Sequence, residues 1–135
     1  FEKDSDNQRI LLEVCRLLRP DGIVLLDLIN RDYARRKFRP TSWHEAHEDV
    51  VVCRQRELMA GGVLVRELVL SKSRGLVRDV NYFARLFRGR EIKKLLSESG
   101  FIEINSVGSM ASHPKSDDYG LLTNRTLITA RKPVP

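Results

Sequence analysis

The stretch Trp43-His44-Glu45-Ala46-His47-Glu48 carries the densest set of groups able to bind a metal or move a proton. Its histidines stand three residues apart, not the four that put a pair one helical turn apart around a zinc ion with a glutamate as base. His113 and Cys53 are remote in the chain, so a polar loop with one or two solvated histidines, available as acid, base or substrate contacts, outweighs a metal site. A second set is Asn30, Arg31, Asp32 and Tyr33, which follow directly on an apolar run. An amide, a guanidinium and a phenol within four residues can hold a carboxylate, a phosphate or a ring, with a plain strand-to-loop cap as the equal alternative. A third set is Arg31, Arg35, Arg36, Lys37 and Arg39 with Tyr33 and Phe38 between them. Charge and stacking together suit RNA, although a solvated face is the commoner use of such a run.

Other chemistries lack their residues. No two glycines fall as G-x-G and no G-x-x-x-x-G-K-S/T occurs, so nothing here wraps a pyrophosphate on its own. Ser71, Ser73, Ser97 and Ser99 sit in no nucleophile-elbow context, and the acids are scattered singly. Cys15 and Cys53 are far apart and read as reduced, buried thiols.

The elements that must position these groups come from 135 residues, 41% hydrophobic and 31% charged, which suits one domain with a modest core. The net charge of +6 resides in the middle, where residues 31–94 hold sixteen basic and eight acidic side chains. No apolar run reaches the roughly 18 residues that span a bilayer, and no signal-peptide pattern is present, so a cytoplasmic address is expected.

Asp4, Ser5 and Asp6 offer N-caps to a helix over about 6–19, whose Ile10, Leu11, Val14, Leu17 and Leu18 share a face. Pro20-Asp21-Gly22 ends it and turns the chain. Ile23 to Ile29 is nearly all apolar, which predicts a strand buried on both faces of a parallel sheet. Val50 to Leu58, Val63 to Lys72 and Leu76 to Phe87 alternate in part around two short glycine links, predicting an antiparallel meander. Both faces of its second stretch are largely apolar, so cover on more than one side is expected. Ile92, Leu95, Leu96 and Ser99 mark a helix stopped by Gly100. Phe101 to Val107 and Thr126 to Ala130 read as strands, with a loop from Ser109 to Asn124 between them.

Leu12-Glu13-Val14-Cys15-Arg16-Leu17-Leu18-Arg19-Pro20-Asp21-Gly22 and the strand behind it resemble the second half of class I S-adenosylmethionine-dependent methyltransferases, whose turn signature is R-x-L-K/R-P-x-G. Leu95-Leu96-Ser97-Glu98-Ser99-Gly100-Phe101 and the closing Arg125 to Lys132 strand are similar to that family too. The resemblance implies an α/β fold: the carboxyl-terminal part of a Rossmann-like methyltransferase sheet, with an antiparallel β-meander inserted as a lid over residues 41–88. It implies S-adenosylmethionine as cofactor and a small molecule or modified nucleotide as methyl acceptor. Asn30, Arg31 and Tyr33 would then form the substrate rim, and Trp43, His44 and Arg85 would reach the substrate from the lid. Phe1 would graze the cofactor pocket, and no catalytic residue is assigned.

The glycine-rich cofactor loop and the acidic residue of that family are not in these 135 residues. By resemblance the chain, opening on Phe1, is a carboxyl-terminal half, inactive alone, and either a homo-oligomer or dependent on its missing half. Two alternatives compete: a basic module that binds RNA, and a catalytically silent methyltransferase-like subunit that stabilises a partner.

Overall fold

The computed structural model describes the backbone of residues 1–111 and 124–135, with side chains of residues 1–106 and 124–135. Ten elements follow in chain order: α1 (Asp4–Leu17), β1 (Ile23–Ile29), α2 (Arg31–Arg36), β2 (Thr41–His47), β3 (Val50–Leu58), β4 (Gly62–Ser71), β5 (Gly75–Arg85), α3 (Gly89–Glu98), β6 (Ile102–Ala111) and β7 (Asn124–Arg131). Most of the loop expected over 109–124 lies outside the described residues; Ser109 to Ala111 belong to β6 and Asn124 opens β7.

α1 starts two residues before the expected point because Lys3, not an acidic residue, occupies the N-cap. Asp4 and Asp6 therefore lie inside the first turn, where a carboxylate meets the positive end of the helix dipole. Asn7 Nδ2 donates to the Lys3 carbonyl at 3.0 Å and holds the entry. At the other end Arg19 to Gly22 form a tight turn, closed by the Gly22 N–H on the Arg19 carbonyl at 2.9 Å. Asp21 takes φ +63 there, the left-handed conformation that the third position of a type II turn requires, and its carboxylate meets Arg131 at 2.7 Å. Lys132 Nζ satisfies the orphan carbonyls of Arg16 and Leu18, fastening the end of α1 to the last strand.

Two sheets result, one in the order β1-β7-β6 and one in the order β2-β3-β4-β5. Every strand pair among the described residues is antiparallel, which overturns the expected Rossmann-like parallel sheet. Among the described residues β1 pairs with β7 alone, from Ile23 opposite Arg131 to Ile29 opposite Arg125, and lies at the end of its sheet. Ile23, Leu25 and Asp27 face solvent while Val24, Leu26 and Leu28 pack inward. A continuous apolar run is compatible with a strand covered on both faces and with one whose second apolar face lies open, and it carries no information on pairing direction.

The first core lies between the β1-β7-β6 sheet and helices α1 and α3. Leu11, Ile92, Leu95, Leu96, Phe101, Ile128 and Ala130 are buried in it, and Cys15 packs against it. The α3 face that supplies it is the one read from the Ile92-Leu95-Leu96 spacing. Gly100, at φ +90, ends the helix as a left-handed stop.

The second core is smaller: Ala34, Val63, Val65 and Leu86, with Ile29, Phe38 and Leu58 against them. The hairpins form at the two expected glycine links, between β3 and β4 and between β4 and β5. Among the described residues only one face of this sheet is covered, however. Val52, Arg56, Val63 and Val65 are buried, whereas Trp43, Leu64 and Leu76 on other positions remain exposed, Trp43 by 71%. The expected loop at Trp43 to His47 is instead β2, the fourth strand, paired from Thr41 opposite Gln55 to His47 opposite Val50.

The β2–β3 turn is held by Asp49, which accepts hydrogen bonds from the Ser71 hydroxyl at 2.7 Å and the Ser73 N–H at 3.0 Å. The Ser71 bond, above all, holds the Asp49 carboxyl below the ordinary aspartate range. A depressed pKa contributes stability above the unfolded-state value, and that contribution is lost as pH falls through the folded-state value. Denaturation at about pH 6 and about pH 3 should therefore show a larger acid loss for the native chain than for Asp49→Asn. Equal losses would remove Asp49 from the account.

Candidate functional site

The two cores meet along two short stretches of extended chain. In each, the side-chain period of two sends consecutive residues to different cores: Leu28 to the first and Ile29 to the second, Leu86 to the second and Phe87 to the first. Where these crossings lie side by side the surface is concave. The groove has a volume of about 650 Å³ and is lined by the end of β1, the start of α2, the Phe87–Arg90 entry to α3, and Thr126 and Ile128 of β7. Its floor is apolar, from Leu28, Phe87, Ile92 and Ile128, and its rim is charged, from Arg31, Asp32, Arg88 and Arg90.

Asn30 is fixed at the rim by three bonds. Its N–H donates to the Asn124 carbonyl at 3.0 Å, its carbonyl accepts from the Ala34 N–H at 2.9 Å, and its Oδ1 caps α2 by accepting from the Tyr33 N–H at 3.0 Å. The cap reading and the site reading are thus both satisfied by one residue, because the cap occupies Oδ1 and leaves the amide NH₂. Arg31 begins α2 with its side chain only 17% exposed, its guanidinium 3.7 Å from Asp32. Glu91 closes the facing helix entry by accepting from the Arg88 N–H at 2.8 Å.

Of the residues singled out in the sequence, Asn30 and Arg31 line this groove. Tyr33 lies on α2, half-buried, and is not among its lining residues. Trp43 stands on the open face of the second sheet opposite Cys53, in a separate shallow groove of about 360 Å³ shared with Arg66 and Leu68. His44 takes the alternate, half-buried position opposite Val52. Arg85 reaches the groove indirectly: it binds Asp4 at 2.8 Å and the Gly61 carbonyl at 3.1 Å, and its guanidinium lies 5.3 Å from the centroid of the Phe87 ring. Phe1 is exposed, with its ammonium group on Asn7 Oδ1 at 3.0 Å. Sequence reading missed Phe87, Arg88 and Arg90. Only the topology brings residues some sixty positions downstream of Asn30 to the end of β1.

Among the described residues, no three His, Cys, Asp or Glu side chains converge as a metal site. Cys15 and Cys53 are free thiols. No described helix is long and apolar enough to cross a membrane. The groove also does not fit S-adenosylmethionine by itself. Among the described residues its lining sets three arginines against one aspartate, which opposes a sulfonium cation, and it holds one glycine, Gly89, in place of a glycine-rich loop.

No protein family and no curated protein matches the sequence. Solved structures do match in fold. A S-adenosylmethionine-dependent methyltransferase from Clostridium acetobutylicum ATCC 824 aligns over 97% of this chain with a TM-score of 0.70 and 12% identity, which is 52% of its own length. The CcbJ methyltransferase from Streptomyces caelestis aligns over 98% of this chain and 52% of its own, with TM-score 0.65 and 14% identity. An amino pentose methyltransferase from Micromonospora echinaspora, involved in calicheamicin biosynthesis, gives 98% and 52%, TM-score 0.59 and 12% identity. The chain spans about half the length of these structures, and at such identities the likeness is one of fold.

Proposed function

We propose that this chain is the carboxyl-terminal part of a S-adenosylmethionine-dependent methyltransferase, with residues 41–88 as the sheet that overhangs its acceptor. The observation that carries the reading is the superposition of nearly the whole chain on half of the Clostridium methyltransferase at a TM-score of 0.70. The groove beyond β1 is the natural place for the acceptor, since its apolar floor receives a small scaffold and Asn30 and Arg31 offer donors at the rim. Methyl transfer at a sulfonium carbon is an in-line displacement in which positioning supplies much of the rate, so a rigid groove is a sufficient contribution from this part. The cofactor's own contacts fall to residues upstream of the sequence described.

Calorimetric titration of S-adenosylmethionine and S-adenosylhomocysteine tests this, against the chain and against a polypeptide completed with the residues encoded upstream. Saturable binding by the completed polypeptide, at least tenfold tighter than by the chain alone, is the expected result. No binding by either would overturn the methyltransferase reading. One feature would then come forward: Arg35, Arg36, Lys37 and Arg39 are exposed and form no ion pair among the described residues, a ridge suited to the phosphates of RNA.

A further inference from the structure

We infer that the groove beyond β1 recognises an anionic group on its ligand, a carboxylate or a phosphate, with Arg31 as the principal contact. This rests on the reading of the groove as the acceptor site and narrows it to a substrate class. Arg31 carries five N–H donors on a guanidinium that stays charged at any physiological pH. Its side chain is 17% exposed, and among the described residues its one charged partner is Asp32, at 3.7 Å and itself 76% exposed. That separation is too long for a hydrogen bond, so the guanidinium at the end of a mostly covered side chain keeps its donors open to a ligand. Elsewhere in this protein arginines with comparable cover are matched by hydrogen bonds: Arg54 meets Glu67 at 2.8 Å and Arg85 meets Asp4 at 2.8 Å.

The opposite rim repeats the charge. Arg88 and Arg90 flank the start of α3, and the nearest carboxylate to Arg88, that of Glu91, lies 3.9 Å away and is committed to the Arg88 N–H. Three arginines and one aspartate therefore line a groove that also includes Phe87 and Leu28. The excess of positive charge along the groove attracts an anion entering between the rims. A planar carboxylate or a phosphate pairs with guanidinium through two parallel bonds, and a flat apolar body behind it fits the floor.

Benzoate and phenyl phosphate share a ring and differ in the anion, and benzyl alcohol supplies the ring without charge. Each is titrated at low ionic strength into the isotope-labelled chain, followed by amide resonances. Saturable shifts at residues 30–32 and 88–90 are expected with an anion and not with benzyl alcohol. The tighter of the two anions identifies the carboxylate or the phosphate as the cognate group. Arg31→Met should weaken that binding at least tenfold. Arg90→Gln, a change at an exposed side chain that leaves folding intact, should weaken it about threefold, and Arg78→Gln on the far sheet should leave it unchanged. Equal response to benzyl alcohol, shifts confined to the basic residues 35–39, or native affinity in the Arg90 variant together with native affinity or misfolding in the Arg31 variant would overturn the inference. Because no cofactor is present, the result separates from the calorimetry. Anion binding without cofactor binding by the completed polypeptide leaves the groove and removes the methyltransferase, and the reverse removes only the anion.

Discussion

Leu96→Ala should destabilise the protein by about 3–4 kcal/mol, close to half the stability of a typical domain of this size. Leu96 is fully buried on the inner face of α3 and belongs to the cluster formed by Leu11 of α1, Phe101 after the helix and Ile128 of β7. Removing its isopropyl end forfeits the transfer free energy of those atoms and leaves a cavity that α1, α3, β7 and the link at Phe101 would have to close together. They are poorly free to do so. Gly100 at φ +90 fixes the exit of α3, and Lys132 ties β7 to the end of α1. Urea denaturation should show a lower midpoint with an unchanged slope. A loss under about 1 kcal/mol would mean that the first core is loosely packed and that Leu96 is not at its centre.

The part of this core that was legible in the sequence is the part set by local periodicity. Ile92, Leu95 and Leu96 declare a helix face by spacing, and Gly100 declares its end by the one backbone conformation glycine tolerates best. Ile10 to Leu18 marks α1 equally well, although Ile10 and Leu17 turn out to be exposed and only Leu11 is fully buried. Pairing direction is a different matter. Ile23 to Ile29 looks the same to a parallel and to an antiparallel neighbour, and only its register with Arg125 to Arg131 decides between them. β2 escaped because Trp43-His44-Glu45-Ala46-His47 alternates polar and apolar residues too weakly to announce a strand. Its stability comes from pairing with β3, a contact between segments rather than a property of one.

The candidate groove was half legible for the same reason. Asn30 and Arg31 stand out because polarity begins where an apolar run stops. Phe87, Arg88 and Arg90 do not, since Arg88 and Arg90 are two among many arginines until the chain brings the start of α3 to the end of β1. The aromatic at 43 and the histidine at 44 drew attention by type alone. In the fold they are successive residues of one strand and point to opposite faces of it.

Glu67→Ala should cost about 2–3 kcal/mol, a large effect for a single side chain that lies outside both hydrophobic clusters. Glu67 and Arg54 are directly opposite on β4 and β3, on the covered face of the second sheet, and each is only 15% exposed. Arg54 Nε donates to Glu67 Oε2 at 2.8 Å, while Arg54 Nη1 is buried with no hydrogen-bond partner among the described residues. The guanidinium thus depends on Glu67 for its compensation; Arg78, which approaches Glu67 Oε1 at 4.0 Å, adds charge of the wrong sign to replace it. Alanine at 67 strands a desolvated cation, and the penalty is that of the stranded group more than the worth of the pair. Arg54→Leu combined with Glu67→Leu removes both charges and fills the same space beside Val52, Val65 and Val69. It should recover most of the lost stability, since a shielded pair is often no better than well-packed apolar residues. Four urea curves close the cycle: native, each single variant, and the double. If the double variant is as unstable as the sum of the singles, the two side chains act independently, and the covered face of this sheet owes its cohesion to packing alone.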